Sequence, residues 1–344
     1  MNQPAQPETV DAASPAPRKV KGGAAQIYGQ LPRFAIWLVL LLLVIIAAFV
    51  SPDFTFLQPR FLSTLLNKAA PLGVLAVGQT FVILTGGIDL SVASVMALMS
   101  VLSAYMMNGQ DNLVLPISLF CIAVALLIGL FNGLLVTKLK IPSFITTLGT
   151  ILIVQGIRFL YTGGAPKGSI PEALRFWGRG FLGFGEYRSP IPTALVVWAV
   201  IVMIALFVER RTTFGRRLFA VGGKPAAARL SGVNNDRVTI AAYMLCSFFA
   251  GVAGLMLTGY IGMADNWLGS GYELDSIAAV VIGGTLFSGG RGSVLGSVAG
   301  VLILTILYNL VLLLGLDVEM QRIVKGLAII IAVALYARLQ QRGL

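Results

Sequence analysis

The chain has 344 residues, of which 57% are hydrophobic and only 11% are charged, whereas a soluble globular domain carries about 25% charged residues. A water-soluble fold of this length needs more polar surface than this composition supplies, so we predict one polytopic membrane domain. The sequence contains no histidine, which excludes a Ser-His-Asp or Cys-His active site and the usual zinc sites. Cys121 and Cys246 both lie within apolar runs, and we expect two core residues rather than a disulfide.

The N-terminal residues 1–32 are polar, with five prolines and a basic group, and this composition predicts a disordered tail. No small-x-small cleavage site ends the apolar run that follows, so we interpret that run as an uncleaved first span. The sequence contains ten apolar runs, most of them near the ~20 residues that a bilayer requires. They are 34–50, 69–85, 90–107, 113–137, 143–162, 191–208, 238–261, 274–288, 293–314 and 320–337. The eighth is short and bounded by glycines, so it could be a broken or re-entrant helix.

Basic residues are divided unevenly between the two sets of connections. The tail, 86–89, 138–142, 209–237, 289–292 and the C-terminus 339–344 hold sixteen Lys and Arg residues, and the opposite connections hold six. Because basic connections of membrane proteins normally face the cytoplasm, we expect both termini there.

We therefore predict an all-α membrane protein, a polytopic bundle of about ten transmembrane helices. Residues 33–338 would form a single transmembrane domain. Within it, 209–237 would be a long cytoplasmic loop and 163–190 a long loop on the outer side. Neither loop is large enough for an independent catalytic domain.

Two patterns in the sequence resemble nucleotide-binding motifs, but the residues around them exclude that interpretation. Residues 178–183 match G-x-G-x-x-G, but they lie in a loop after a membrane span, without the strand and helix that a dinucleotide fold requires. Residues 223–224 resemble the end of a P-loop, but Leu218 occupies the first glycine position and Pro225 replaces the Ser/Thr. We therefore predict that the chain does not hydrolyse ATP, is not an enzyme and holds no cofactor or metal of its own.

The stretch 213–232 is the most informative of the polar connections. The glycines at 222–223 permit a turn, Pro225 suits the first position of a helix, and the alanines at 226–228 are strong helix formers. Gly232 can end that helix in a left-handed cap. The pattern predicts a short helix of about two turns with a small-residue side, which would fit a groove on a partner. A basic loop that only fixes topology is the alternative.

The connection 86–91, Gly-Gly-Ile-Asp-Leu-Ser, joins the second and third runs. Its glycines end one helix, and Asp89 or Ser91 can cap the next one in a region where water is scarce. A direct role for Asp89 in transport is the alternative. A second Gly-Gly-x-x-x-Ser pattern, at 283–288, follows the eighth run and could be a faint internal repeat.

Several polar side chains lie within or beside the apolar runs, where they can form hydrogen bonds between helices or line a path. Most are uncharged amides and hydroxyls, which can exchange hydrogen bonds with a neutral polar cargo one at a time. Arg158 is the exception and would suit an anionic cargo if it faced the path. The residues that we expect along a path are Thr85, Asp89, Asn132, Thr147, Gln155 and Asn309.

Four segments together resemble a known family, the permease subunits of bacterial ABC importers for monosaccharides of the ribose/xylose/fructose type. They are G-Q-T-F-V-I-L-T-G-G-I-D-L-S at 78–91, I-P-S-F-I-T-T-L-G at 141–149, the 213–232 loop, and E-L-D-S-I-A-A-V-V-I-G-G at 273–284 continuing to S-G-G-R-G at 288–292. In order and spacing they cover most of residues 60–335, and the N-terminal 32 residues fall outside the resemblance.

The resemblance implies an inner-membrane assembly of two permeases, identical or mixed, and two ATPase subunits. A periplasmic sugar-binding protein would deliver the cargo, and ATP would bind to the partner chain. It also implies that the 213–232 loop docks on the ATPase. The coupling residues would be Gly215, Arg216, Arg217, Gly222, Gly223, Ala227, Ala228, Arg229, Ser231 and Gly232.

Two other classes of transporter are alternatives. A branched-chain amino-acid permease has a related architecture, but the segment at 86–91 looks more like the sugar branch. A proton-coupled secondary transporter normally needs titratable groups deep in the membrane, whereas this sequence lacks histidine and its carboxylates fall in connections or at the ends of runs.

Overall fold

A computed structural model describes residues 24–183 and 191–317 of the chain, together with helical positions scattered between 319 and 334. Within 24–317 the helices are α1 (Ala24–Val50), α2 (Pro59–Leu84), α3 (Val92–Met107), α4 (Val114–Lys138), α5 (Ser143–Thr162), α6 (Glu172–Arg179), α7 (Thr193–Arg211), α8 (Thr213–Gly223), α9 (Pro225–Leu230), α10 (Asn235–Ile261), α11 (Tyr272–Ile282) and α12 (Val294–Leu313). Short 3-10 turns at Pro52–Leu57 and Asp111–Leu113 precede α2 and α4. Two-residue strands, β1 (Phe181–Leu182) and β2 (Ile191–Pro192), pair antiparallel between α6 and α7.

The described residues include six helices that are long and apolar enough to cross a membrane, which are α2, α4, α5, α7, α10 and α12. Residues 35–50 of α1 and the whole of α3 are shorter apolar helices. The prediction of an all-α polytopic membrane protein is thereby confirmed. Nine of the ten apolar runs coincide with a helix. The tenth run, 320–337, falls largely outside the described residues, as does all of 339–344, so the total of ten spans stays a prediction.

The centre of the bundle is formed by α2 and α10. Helix α10 packs against α2, α3, α4 and α6, and α2 also packs against α7, α11 and α12. Small residues permit this close packing, as is usual between helices in a membrane. A Cβ added to Gly129 of α4 would lie 2.6 Å from the carbonyl oxygen of Tyr243 on α10, and one added to Gly78 of α2 would lie 2.9 Å from the Cα of Cys246. Both cysteines are buried and free.

The structure differs from the predicted runs and loops at three places before α7. Helix α1 begins at Ala24, inside the segment 1–32 that we predicted as a disordered tail; residues 1–23 lie outside the described residues. Helix α2 begins at Pro59 rather than at 69, because Lys68 interrupts the apolar run but points outward from a helix whose next position is buried. The loop 163–190 contains a helix, α6, whose aromatic and basic residues gave no apolar run.

The helix connections lie at two opposite ends of the bundle. The end with the connections 85–91, 139–142, 212–234 and 283–293 is named the α8 end. The opposite end, with 108–113, 163–183, 191–192 and 262–271, is named the α6 end.

The connection 85–91 runs inward from the α8 end, so that α3 begins well inside the bundle. The side chain of Ser91, the residue before α3, accepts a hydrogen bond from Asn132 of α4, which in turn accepts one from Thr150 of α5. Thr150 lies seven residues into α5 and Asn132 six residues from the end of α4. At 1.5 Å of rise per residue, Ser91 therefore lies about 10 Å inside the α8 end of these helices.

Helix α11 is also too short to span a bilayer. It has eleven residues, a length of about 16 Å, whereas a hydrocarbon core is about 30 Å thick. The predicted run 274–288 ended too late, because Gly283 and Gly284 stop the helix and Gly284 adopts the left-handed region at φ +86°. This short helix is in keeping with the expectation that the eighth span is short and broken. Its N-terminus is reached by the irregular segment 262–271, which enters the bundle from the α6 end.

Candidate coupling surface and transport path

Two helices, α8 and α9, form the polar segment between the membrane helices α7 and α10. Thr212 caps α8, since its hydroxyl oxygen accepts a hydrogen bond of 3.2 Å from the amide of Gly215. The buried face of α8 consists of Gly215, Leu218, Val221 and Gly222, at helical spacing. Arg216 and Arg217 are exposed on the other side.

The structure corrects the predicted conformation of this segment. We expected a glycine turn followed by one helix, but Gly222 and Gly223 are the last residues of α8, with no left-handed conformation, and the change of direction occurs at Lys224. Helix α9 begins at Pro225 as expected, although its six residues make it shorter than two turns. Gly232 adopts the predicted left-handed conformation at φ +79°. Gly222 and Gly223 therefore do not form the predicted turn.

Gly222 is required for contact between backbones. A Cβ at this position would overlap the carbonyl oxygen of Leu84, at the end of α2, and would lie 2.5 Å from the amide nitrogen of Gly290. Gly289 also approaches another backbone closely. A Cβ added to it would be 2.8 Å from the amide nitrogen of Gly86. Helix α8 thus touches Leu84 and the glycines at 289–290, next to the point where Gly86 approaches Ser288. Contacts between backbones contain no flexible side chain that could absorb a displacement.

A buried carboxylate gives α12 a second connection to this segment. Glu209, near the end of α7, is buried, and its Oε1 accepts a hydrogen bond of 3.2 Å from the amide of Val294 at the start of α12. Ser293 caps the same helix through the amide of Gly296. A negative charge at a helix N-terminus is favourable, because unpaired amides give that end a partial positive charge. The sequence analysis did not single out Glu209, since its partner is 85 residues away.

A groove of about 930 Å³ lies between α8–α9 and the connection 286–291. Predicted coupling residues on its walls are Gly222, Gly223, Ala227, Ala228 and Ser231, and the groove also contacts Leu286 and Arg291. Ala228 is buried against the bundle, whereas Ala227 is exposed. At the end of α9, Leu230 is 91% exposed. A single exposed leucine is common at protein surfaces, and here it is next in sequence to Ser231, which lines the groove. Leu230 was not among the predicted coupling residues, although it is the one large apolar side chain of α9.

The predicted path residues Asp89 and Asn132 come together with Ser91 and Thr150 in one buried hydrogen-bonded chain. Oδ1 of Asp89 accepts hydrogen bonds from the amide of Ser91 at 2.9 Å and from its hydroxyl at 2.6 Å. The amide of Asn132 donates to the Ser91 hydroxyl at 2.9 Å, and Thr150 donates to Oδ1 of Asn132 at 2.6 Å. Neither Asp89 nor Ser91 caps an amide inside α3, so the predicted capping of that helix is replaced by this chain between α3, α4 and α5.

The other predicted path residues are separate from this chain. The hydroxyls of Thr85 and Thr147 donate to carbonyl oxygens of their own helices, as does the amide of Asn309. Gln155 instead lines a cavity of about 100 Å³ between α3, α5 and the segment 262–271, together with Arg158. The structure thus divides the predicted residues between a buried chain, a cavity and contacts within helices.

Most of the chain is similar in sequence to known transport proteins. Residues 61–333 match the family described as branched-chain amino acid transport system / permease component. The ribose import permease protein RbsC of Bacillus subtilis (strain 168) is 43% identical over 310 residues, which cover 89% of this chain and 93% of that protein. No solved structure gives a significant match.

Two relatives from Escherichia coli (strain K12) are similar over comparable lengths. The galactose/methyl galactoside import permease protein MglC is 38% identical over 315 residues, 86% of this chain and 93% of its own length. The ribose import permease protein RbsC is 36% identical over 296 residues, 86% of this chain and 90% of its own. The chain therefore belongs to the permease-component family of transport systems, in agreement with the resemblance seen in its sequence.

Proposed function

We propose that the chain is the membrane-spanning subunit of an ABC importer for a neutral monosaccharide, in the bacterial inner membrane. The observation that carries this proposal is the 36–43% identity to permeases named for ribose and galactose, over most of both chains. The chain itself is not catalytic. A separate ATPase subunit hydrolyses ATP, and a periplasmic binding protein supplies the sugar to the α6 end.

In this proposal the ATPase docks at the α8 end, which faces the cytoplasm with both termini. The sixteen basic residues assigned to that side support this orientation. The exposed Leu230 and Ala227 and the adjoining groove offer a surface for the ATPase. Movement of that subunit would reach α2 and α3 through Gly222 and Leu84, and α12 through Gly290 and Glu209.

Docking can be tested by changing Leu230 alone. Leu230→Asp places a charge where the contact excludes water, so we expect it to weaken association with the ATPase and to lower uptake. Leu230→Met keeps an apolar side chain of similar volume and should behave like the wild type. The measurement is co-purification of the ATPase together with sugar uptake. Normal co-purification and uptake for Leu230→Asp would exclude Leu230 from the docking surface.

The substrate class is tested by uptake into proteoliposomes that contain the whole complex and its binding protein. Labelled pentoses, hexoses, a sugar phosphate and leucine are compared at the same concentration. We expect transport of a monosaccharide, and neither leucine nor the phosphate should be moved. Transport of leucine without any sugar would favour the second candidate, a branched-chain amino-acid permease, which the description of the matching family suggests.

A proton-coupled mechanism is addressed by the same assay. Asp89 is a carboxylate at the depth of Thr150, buried and without a partner for its Oδ2 among the described residues, which is the kind of group such a mechanism uses. We nevertheless expect uptake to need ATP and to continue in the presence of an uncoupler. Loss of uptake with the uncoupler at constant ATP would favour the proton-coupled alternative.

We also propose that two permease copies form the assembly, with α5 at their contact. Gly149 and Gly156 lie seven residues apart on α5, and a Cβ added to either would meet nothing within 4 Å. Exposed small residues at such spacing favour close approach of another helix. A disulfide between two copies of the Gly156→Cys variant would support this contact, and its absence from membranes under oxidation would argue against it.

A further inference from the structure

The cavity between α3, α5 and the segment 262–271 lies near the middle of the membrane. Its α5 wall extends from Ile151 to Arg158, the ninth and sixteenth of the twenty residues of that helix. The opposite wall is irregular backbone, 266–270, which leads into the short helix α11. Interrupted helices near the bilayer midplane are where membrane transporters hold their cargo. The position of the cavity is therefore that of a cargo site.

Two deeply buried polar side chains line this cavity without using all their hydrogen-bonding groups. Arg158 is 3% exposed; it donates to the carbonyl oxygen of Ser94 at 3.4 Å, while its Nε has no partner among the described residues. Asn266 is also 3% exposed, and its amide nitrogen donates to Thr162 and Gly164. The Oδ1 of Asn266 is left without a partner in the described part of the chain. Unused buried groups are costly unless a ligand or water satisfies them.

The other lining residues determine which class of ligand fits this cavity. Gln155 adds an amide, and Glu273 adds a carboxylate whose charge is opposite to that of Arg158. Trp267, 60% exposed, adds a flat aromatic ring at the opening. A lining with one positive and one negative side chain does not select an ion of either sign, whereas donors and acceptors in the same lining match hydroxyl groups, which both donate and accept.

We propose that this cavity is the contact site for the monosaccharide in transit, an inference that rests on the proposed function. A cavity of about 100 Å³ takes one edge of a sugar ring, and its open side leaves the rest of the ring in the path. Hydroxyls of that edge bond to the amide of Gln155 and to the carboxylate of Glu273, in front of the enclosed side chains of Arg158 and Asn266. Trp267 covers the apolar face of the ring.

The rigidity of the walls supports a preformed site. Asn266 is tied to the end of α5 by its two donated bonds, and the amide of Asp265 donates to the hydroxyl of Ser100 on α3 at 3.2 Å. The ring of Trp267 packs edge-on against Phe159, with the ring centres 5.8 Å apart. The segment 262–271 is thus held to both helices that complete the cavity, and its polar groups are positioned before a sugar arrives.

The test uses the assembled complex with its binding protein in proteoliposomes, and measures sugar moved per ATP hydrolysed. Gln155→Leu removes one contact without removing a bond that ties the walls together. Trp267→Ala removes the aromatic ring and its contact with Phe159, but keeps the hydrogen bonds of Asp265 and Asn266 that hold the segment. Each should lower sugar moved per ATP about fivefold, the effect of losing one hydrogen bond or a comparable contact. Stimulation of ATP hydrolysis by the loaded binding protein should not change, because it acts at the two ends. The matched controls are Gln110→Leu in an exposed connection and Trp37→Ala on the exposed face of α1.

A second readout detects binding without transport. Saturation-transfer NMR of the ATP-free complex, without binding protein, is recorded with D-ribose and D-galactose as probes. We expect a signal from the probe that the wild type transports, and its loss in Trp267→Ala but not in Trp37→Ala. If the wild type moves sugar while both cavity variants keep the wild-type ratio and NMR signal, the cavity holds only water and the inference is overturned. A wild type that moves no monosaccharide would instead refute the proposed function.

Discussion

The amide nitrogen of Gly290 donates a hydrogen bond of 2.9 Å to the carbonyl oxygen of Leu84, and so joins the connection after α11 to the end of α2. Gly222 of α8 lies against both of these atoms. Three segments that are distant in the sequence therefore share one backbone contact at the α8 end. A displacement of α8 must displace both connections or break that contact.

This contact leads to a prediction for a single methyl group. Gly222→Ala would force a Cβ into the carbonyl oxygen of Leu84, and overpacking of this kind costs about 1–3 kcal/mol. We expect the protein to insert in the membrane but to transport less sugar per ATP hydrolysed. The neighbouring Gly223→Ala is the control, because its Cβ would meet only the Cα of Gly290 at 3.9 Å. Equal uptake by the two variants would show that the close approach at Gly222 is not needed for coupling.

Removal of the Glu209 carboxylate should destabilise the start of α12. Glu209→Ala leaves the amide of Val294 without its acceptor, and loss of a helix cap costs about 1 kcal/mol. Glu209→Gln retains an acceptor oxygen and should lose only the interaction of the charge with the helix dipole, about 0.3–1 kcal/mol. The measurement is the thermal unfolding of the purified protein in detergent. Identical loss of stability in both variants would mean that the charge, and not the hydrogen bond, is what matters.

The buried chain at Asn132 should hold α3, α4 and α5 together. Asn132→Leu removes a donor to Ser91 and the acceptor for Thr150. Ser91 keeps its bond to Asp89 and Thr150 its bond to the carbonyl oxygen of Thr146, so the cost is that of two lost hydrogen bonds, about 0.5–1.5 kcal/mol each. The control on the same helix is Thr137→Val, which removes a bond of 2.7 Å to the carbonyl oxygen of Gly133, within one helix. We expect a clearly lower melting temperature for Asn132→Leu than for Thr137→Val. Comparable values would indicate that the chain contributes little to packing.

The orientation of the chain can be tested by labelling cysteines from each side. Thr213 and Lys167 are exposed at opposite ends of the bundle, and both native cysteines are buried. A thiol reagent that does not cross membranes should label Lys167→Cys from the periplasmic side and Thr213→Cys only from the cytoplasmic side. Gly168 is unsuitable for this purpose, because a side chain there would overlap the carbonyl oxygen of Ala104. Labelling of both cysteines from outside would contradict the proposed topology.

The features that the sequence predicted well depend on neighbouring residues. Apolar runs of sufficient length indicated the membrane helices, and the proline and alanines at 225–228 indicated α9. Local patterns also gave the left-handed conformation of Gly232. In each case the property that forms the element, hydropathy or backbone preference, belongs to the residues themselves.

The features that it missed depend on contacts between distant residues. Gly222 was interpreted as part of a turn, whereas the reason for a glycine there is the backbone of residues 84 and 290. Asp89 and Asn132 were each recognised as polar residues in an apolar setting, but the bonds that join them through Ser91 cross 41 residues. Exposure, as for Leu230, is set by the whole fold, and the sequence carried only the signal of a leucine among basic residues.

The short length of α11 has a consequence for the size of the movement that transport requires. Because α11 covers only eleven residues, about 16 Å, a barrier formed by this helix would be roughly half as thick as the bilayer. A shift of α11 by a single helical turn, about 5.4 Å, moves a third of its length past its neighbours. A path beside α11 would therefore open with a displacement of about one helical turn rather than the passage of a whole helix through the membrane.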